Sequence, residues 1–212
     1  CGLQPTAMFP VYGLAEASLA VAFPRPGTGC ATVTVNRDAL TIGTTIERIA
    51  AGDPRAVTFV LVGNPVRGCQ LRITNDAHDE LASATVGHVQ IRGDNVSRGY
   101  YRDLESTQAA ISADGWLETG DLGFLSADGL AISGRSKEIL FVSGQNYYPH
   151  DIETVIEKHA GVEPGRTAVC GVRPENAATD EVLAFILHRG ELNDFLEIAK
   201  AVKNRKELTV MT

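Results

Sequence analysis

The stretch from Gly134 to Glu153 divides the chain into two segments of different character. Before it, short strand-like pieces alternate with turns rich in Gly and Asp, and after it a helical pattern is followed by strand-like pieces. Within the stretch, the apolar run 139–142 lies between two clusters of polar side chains. A plain linker between domains does not need so many specific polar groups. The sequence therefore predicts a working hinge at 135–148.

The hydrophobic periodicity predicts an α+β fold. Residues 1–134 are dominated by short strands that end at Gly, Asp and Pro turns, and residues 149–212 combine helices with strands. Pro149 suits the first turn of a helix, and Asp151 and Glu153 suit its positive end. The predicted strands are 31–35, 57–62, 70–74, 87–92, 122–125, 130–133, 139–142, 166–172 and 181–188. The predicted helices are 44–51, 105–111, one that begins at Pro149, and 194–202.

Composition is that of a soluble globular protein, with 44% hydrophobic and 21% charged residues among 212. The net charge of −7, without a long Lys/Arg cluster, argues against a nucleic-acid or anionic-membrane partner. No apolar run approaches the roughly 18 residues that a membrane span needs. The four cysteines are scattered without zinc-binding spacing, which favours reduced thiols and a cytoplasmic location. Because the chain begins at Cys1 in the middle of a pattern, we expect a piece of a longer polypeptide.

Two segments carry residues suited to binding a nucleotide. In Tyr12-Gly13-Leu-Ala-Glu16, a Gly permits close backbone approach to a ligand, an aromatic ring offers a stacking face and a Glu can hold a cation. A loop Tyr with a solvated Glu is the alternative. Asp121, which ends Gly115-Trp-Leu-Glu-Thr-Gly-Asp121, can accept two hydrogen bonds from a vicinal diol such as a ribose. The alternative is a turn Asp that bonds its own backbone.

Arg135 follows the hairpin predicted after Asp121, so the two side chains can lie close together. A carboxylate for the sugar and a guanidinium for the ribose or phosphate make a nucleotide-binding pair, and a surface salt bridge is the competing interpretation. Lys137 can simply be solvated. The histidines show no metal-ligand spacing, and His150 suits a site role and a surface role equally.

The order of these motifs, rather than any one of them, resembles a known superfamily. Tyr12–Glu16 precedes Gly87–Gly93 with Gly99–Tyr101, then Gly115–Asp121, then Gly134–Leu140 with Gly144–Glu153. This order resembles the adenylate-forming superfamily of acyl-CoA synthetases, peptide-synthetase adenylation domains and luciferases. The ending of the last motif is most similar to the fatty acyl-AMP ligases. Segment 31–65 is similar to the insertion that those ligases use to hold their two domains in a pose unfavourable to CoA.

The resemblance implies a fold and a reaction. Residues 1–134 would be the C-terminal part of the large AMP-binding domain, a strand-rich and distorted barrel-like end. Residues 149–212 would begin a small α+β C-terminal domain. A fatty carboxylate would attack the α-phosphate of ATP and release pyrophosphate, and the acyl group would pass to the phosphopantetheine thiol of a carrier protein. ATP/AMP and Mg²⁺ would be the cofactors.

The resemblance also implies residue roles. Tyr12 and Gly13 would line the adenine and acyl-phosphate side, and Glu16 would hold Mg²⁺. Asp121 would bind the ribose hydroxyls, and Arg135 would contact the ribose.

Two further roles belong to the second step of the reaction. Lys137 would be the pivot of the hinge, about which the small domain rotates between half-reactions. Gly144 would lie on the loop that closes over the acceptor.

This sequence departs from the family pattern at two places. The family's phosphate loop is absent, and Lys200, Lys203 and Lys206 lack the context of its terminal catalytic lysine. We therefore expect that the chain alone does not adenylate. An acyl-CoA synthetase that uses CoA, and a non-catalytic nucleotide-sensing or carrier-docking module, stay open as alternatives.

Overall fold

The computed structural model describes residues 2–142, 145–158, 162–174, 180–187, 193, 195–197 and 200. The chain forms two compact units, Cys1–Ser136 and Lys137–Thr212. Their boundary falls within the predicted hinge 135–148, and the assignment of the two parts to known domains stays a prediction.

The first unit is built mainly of short antiparallel strands. Its strands are β1 Ala22–Phe23, β2 Thr32–Asn36, β3 Ala56–Val60, β4 Asn64–Pro65, β5 Cys69–Thr74, β6 Gly87–Gly93, β7 Leu117–Ser126 and β8 Gly129–Arg135. One α-helix, α1 at Leu104–Ala110, and 3₁₀ turns at Pro5–Ala7, Ala15–Ala17 and Arg37–Ala39 accompany them.

A four-stranded antiparallel sheet in the order β5-β6-β7-β8 is the centre of this unit. Strands β7 and β8 form the predicted hairpin. Ser126 pairs with Gly129, so the turn between the strands has two residues. One face of the sheet packs into a core that includes Ile73, Val89 and Leu117. This burial fixes the register, since a shift of one residue would turn every apolar side chain to the opposite face.

The β2–β3 hairpin forms a separate two-stranded sheet that adjoins β8. Leu61, just after β3, forms a bridge with Ala131 on β8. Phe59 on β3 packs edge-on against Phe124 on β7, with ring centroids 6.0 Å apart. The hairpin lies within segment 31–65, and the role of that segment as a ligase-specific insertion stays a prediction.

The predicted helix at 44–51 is wrong, because this segment is extended. Thr45 forms a bridge with Thr85, and Arg48 forms one with Val35. The amide of Ile46 donates to the carbonyl of Ala84 at 2.8 Å. Pairing with distant backbone therefore satisfies groups that a helix would have satisfied locally.

The described part of the second unit contains two pairs of antiparallel strands and a helix. Its described elements are β9 Leu140–Val142, β10 Gln145–Tyr147, α2 Pro149–Ile156, β11 Thr167–Val172 and β12 Glu181–Ile186. Ile152 and Ile156 of α2 pack with Leu140, Val169 and Val182 in a small core. The helix begins at Pro149, as predicted, whereas β10 was not predicted.

The strand-rich α+β fold predicted from the sequence is confirmed. Most of the predicted helix at 194–202 lies outside the described residues. Within the described ranges, no helix is both long enough and apolar enough to cross a membrane.

Phe124 is fully buried and contacts Phe59, so Phe124→Ala should leave a cavity in the first unit. We expect the free energy of unfolding to fall by about 3–5 kcal/mol. Leu104→Ala is the matched control, because Leu104 is 69% exposed on α1 and should change stability by less than about 0.5 kcal/mol. Denaturant titration measures both, and equal effects would contradict the packing described here.

Candidate functional site

The carboxylate of Asp121 lies at the centre of the candidate site. The residue is 6% exposed, and both of its carboxylate oxygens accept hydrogen bonds. Tyr12 Oη donates to Oδ2 at 2.6 Å, and Arg135 Nε donates to Oδ1 at 3.1 Å. A buried carboxylate needs such partners, because burial without them would cost several kcal/mol. Three residues that are far apart in the sequence therefore form one site.

The sheet fixes the positions of Asp121 and Arg135. The two residues are directly paired across β7 and β8, beside an irregularity in register at Leu122 and Gly123. The amide of Asp121 donates to Thr119 Oγ1 at 3.1 Å, and the Thr119 hydroxyl donates to the carbonyl of Val89 at 2.7 Å. Asp121 is thus held by its own strand as well as by Tyr12 and Arg135.

Tyr12 reaches Asp121 from a closed turn near the start of the chain. Its backbone forms a bridge with Ala22, and its ring is buried in the core. Burial raises the pKa of the phenol well above its ordinary value of about 10, and the hydrogen bond to Asp121 raises the pKa further. Tyr12 therefore stays a neutral donor at physiological pH. Its hydroxyl, rather than an open ring face, is directed at the site.

Gly13 is required by the packing of this same turn. A Cβ at Gly13 would overlap the carbonyl of Leu19. Ser18 and Leu19 have φ angles of 51° and 74°, which are in the left-handed region that side chains disfavour. The close approach that predicted a Gly here is thus made by the chain itself. The sequence motif alone could not distinguish this approach from one made by a ligand.

Glu16, four residues after Tyr12, is held by a second loop. Its carboxylate oxygen Oε1 accepts a hydrogen bond from Tyr100 Oη at 2.8 Å. Its backbone carbonyl accepts one from the amide of Ser97 at 2.7 Å. The same loop contributes Asn95, whose Nδ2 donates to the carbonyl of Ala20 at 2.7 Å. Loop 93–100 therefore fixes the turn that carries Glu16.

Tyr100 and Asn95 hold the turn that carries Glu16, although the sequence alone assigned neither residue a role. The Gly-bracketed segment 93–100 had the pattern of an ordinary connecting loop, although Gly99–Tyr101 belongs to one of the ordered motifs. That motif was a signal that the loop matters. The contact with Glu16 spans 84 positions, and local pattern does not reveal such a contact.

The remaining predicted residues are less fully described. Lys137 has its backbone in a 3₁₀ turn at Ser136–Glu138, at the boundary of the two units. Gly144 lies outside the described residues. The structure brings together Tyr12, Asp121 and Arg135, and the turn that begins at Tyr12 also carries Glu16.

The chemistry of these groups suits a ribose. An ionised carboxylate has about four acceptor positions, so each oxygen of Asp121 can accept a further bond. The side chain of Arg135 is 63% exposed and presents its charge toward solvent. A fixed carboxylate with further acceptor positions, paired with an exposed guanidinium, fits a vicinal diol.

Glu16 suits an Mg²⁺ ion that is shared with a ligand. Mg²⁺ is commonly held by one or two carboxylates together with substrate phosphates. Within the described part of the chain, no cluster of three His, Cys, Asp or Glu side chains could hold a metal ion. A single half-buried carboxylate therefore fits a metal that arrives with a nucleotide better than a permanently bound ion.

Comparison with known proteins shows extensive similarity. The chain is 36% identical over 195 residues to the long-chain-fatty-acid–AMP ligase FadD26 of Mycobacterium marinum. The matched region covers 87% of this chain and 32% of that ligase. A structure from a study of the fatty acyl-adenylate ligases of E. coli and L. pneumophila superposes with a TM-score of 0.84 and 29% identity. The match covers 98% of this chain and 38% of the chain in that structure. The McyG A-PCP structure complexed with phenylalanyl-adenylate superposes with a TM-score of 0.74 and 28% identity, over 96% of this chain and 29% of its own chain. No protein-family profile matches the sequence.

These similarities cover nearly all of this chain but a minor part of each relative. The chain spans 14 to 32% of the length of the curated relatives that it matches.

The hydrogen bond from Tyr12 to Asp121 leads to a prediction about pH. At pH 7, Tyr12→Phe removes a donor from a buried carboxylate and should lower the free energy of unfolding by about 1–3 kcal/mol. The folded state raises the pKa of Tyr12, so this contribution is complete below the ordinary value of about 10 and is lost as the pH rises above it. The difference in the free energy of unfolding between the native protein and Tyr12→Phe, measured by denaturant titration, should therefore shrink above pH ~10. Tyr101→Phe, at an 86% exposed position, is the control and should show no such convergence.

Proposed function

We propose that this chain, a homologue of one segment of the adenylate-forming ligases, forms the ribose side of the active site of a fatty acid adenylating enzyme. The observation that carries the proposal is that Tyr12 and Arg135 both donate hydrogen bonds to the buried carboxylate of Asp121. The similarity to the Mycobacterium marinum ligase supports a fatty carboxylate as the substrate. Because the chain spans a minor part of such ligases, the complete reaction is proposed for the parent polypeptide.

The proposed reaction has two steps. A fatty carboxylate oxygen attacks the α-phosphorus of ATP, the bond to the β-phosphate breaks, and acyl-AMP and pyrophosphate form. A thiol then attacks the acyl carbon, a thioester forms and AMP leaves. The McyG structure is an A-PCP protein, which supports a carrier-protein thiol as the acceptor. The need for ATP and the free thiols of Cys30, Cys69 and Cys170 suit the cytoplasm.

Asp121 and Arg135 would bind and orient the adenylate. The Asp121 carboxylate would accept hydrogen bonds from the ribose hydroxyls, and the exposed guanidinium of Arg135 would lie against the ribose. Tyr12 would act through Asp121 by keeping one carboxylate oxygen fixed. Preorganised groups of this kind lower a reaction barrier, because they need no reorientation when the reacting atoms approach.

Glu16 would hold Mg²⁺, which when bound would neutralise charge on the phosphates. Lys137 would act as the pivot between the two half-reactions, and Gly144 would lie on the loop over the acceptor. Segment 31–65 would be the insertion that disfavours CoA. These assignments rest on the order of motifs by which the sequence resembles the adenylate-forming superfamily.

The proposed reaction is tested with the parent polypeptide, supplied with ATP, Mg²⁺ and a fatty acid. We expect fatty acid-dependent exchange of pyrophosphate into ATP, followed by acyl transfer to a phosphopantetheine-loaded carrier protein and not to free CoA. Transfer to CoA would instead favour an acyl-CoA synthetase. An absence of exchange would contradict the enzymatic function and favour a nucleotide-sensing or carrier-docking module.

Asp121→Asn tests the ribose site directly. The change keeps the shape of the side chain and removes its charge, so charge-assisted bonds to the ribose are lost. We expect a non-hydrolysable acyl-adenylate analogue to bind about tenfold to a hundredfold more weakly by calorimetry, which corresponds to ~1.5–3 kcal/mol. Asp128→Asn is the matched control, because Asp128 lies in the turn of the same hairpin with a side chain 62% exposed. Equal affinities for native protein and Asp121→Asn would remove Asp121 from the site.

A further inference from the structure

We propose that Tyr100 is a positioning residue for Glu16, and this inference rests on the proposed function. Its hydroxyl donates to Oε1 of Glu16 at 2.8 Å. An oxygen that accepts this bond is fixed in direction, and the other oxygen of the carboxylate is then presented in one orientation. Tyr100 thus prepares the carboxylate for a divalent cation that arrives with a nucleotide.

The loop that carries Tyr100 holds both ends of Glu16. While Tyr100 binds the carboxylate, the amide of Ser97 donates to the backbone carbonyl of Glu16 at 2.7 Å. Asn95 donates to the carbonyl of Ala20, beyond the strained part of the turn. With both its backbone and its side chain held by one loop, Glu16 has little freedom to adopt another rotamer. Such restraint removes the rotamer entropy that a free Glu would lose on binding a cation.

Tyr100 is in turn held by helix α1. Its amide donates to Thr107 Oγ1 at 2.9 Å, and the Thr107 hydroxyl donates to the carbonyl of Asp103 at 2.7 Å. The Asp103 side chain caps α1 by accepting from the amide of Ser106 at 2.9 Å. A Cβ at Gly99 would overlap Thr107, so a Gly lets the chain pass close to the helix. The helix therefore fixes the position from which Tyr100 reaches Glu16.

The Tyr100 hydroxyl occupies one acceptor position of the Glu16 carboxylate, because its single proton is directed at Oε1. The remaining acceptor positions of the carboxylate are available to a cation.

The test compares Tyr100→Phe with Tyr101→Phe in the parent polypeptide. Both changes delete one phenol hydroxyl from neighbouring positions, but Tyr101 is 86% exposed. The affinity for Mn²⁺, used as the probe in the presence of ATP, is measured by electron paramagnetic resonance. We expect Tyr100→Phe to weaken Mn²⁺ binding by about threefold to tenfold, from the loss of rotamer restraint. Tyr101→Phe should leave the Mn²⁺ affinity unchanged.

Glu16→Gln separates this inference from the proposed function. Glu16→Gln should weaken Mn²⁺ binding strongly, and adding Tyr100→Phe to it should cause no further loss, because both changes act through one carboxylate. A merely structural role of Tyr100 would give additive losses, and additivity overturns the inference. Unchanged Mn²⁺ affinity in Glu16→Gln overturns the proposed metal role and the inference with it. If Glu16→Gln weakens Mn²⁺ binding and Tyr100→Phe does not, the inference alone is overturned. Equal losses of Mn²⁺ affinity in Tyr100→Phe and Tyr101→Phe would also overturn the inference alone.

Discussion

The buried carboxylate of Asp121 is the constraint on which the first unit depends. An ionised group removed from water is tolerated when its oxygens are paired and hydrogen-bonded. Tyr12 and Arg135 meet this requirement from opposite ends of the unit, at positions separated from Asp121 by 109 and 14 residues. The turn that begins at Tyr12, the β7–β8 hairpin and the sheet between them must therefore all form before the site exists. The residues of the candidate site therefore also hold the fold together.

The β7–β8 hairpin places the Asp121 carboxylate next to the Arg135 guanidinium. Its turn fixes the pairing of Asp121 with Arg135, and the core residues behind it, such as Leu117 and Leu130, fix the register. A slip of one residue would separate Asp121 from Arg135 and leave a buried carboxylate without its guanidinium partner, which would be costly. Burial of apolar surface and pairing of charge thus specify the same register, and agreement between the two makes that register unique.

Much of the fold and part of the site could be predicted from the sequence. A feature could be predicted when it depends on residues close together in the sequence, and not when it depends on contacts between distant segments. Strands, the β7–β8 turn and the start of α2 depend on neighbours within a few residues, so local pattern predicts them. The helix predicted at 44–51 was wrong because its backbone pairs with Val35 and Thr85. Motif order identified Tyr12, Glu16 and Asp121 as candidates. It could not show that the Tyr12 hydroxyl serves Asp121, or that Tyr100 serves Glu16, since both contacts join distant segments.

The two tyrosine–carboxylate pairs share a chemistry but differ in burial, and that difference separates their roles. Asp121 is buried, and its pairing with both a phenol and a guanidinium fixes it, as the proposed recognition of a rigid sugar would require. Glu16 is half-buried and accepts a hydrogen bond from one phenol, which would leave acceptor positions for the proposed cation with part of its water shell. Both pairs depend on the same turn, because Gly13 packs against the Leu19 carbonyl between them. A disturbance of that packing would therefore move Tyr12 and Glu16 together, so the turn couples the proposed sugar contact to the proposed metal contact.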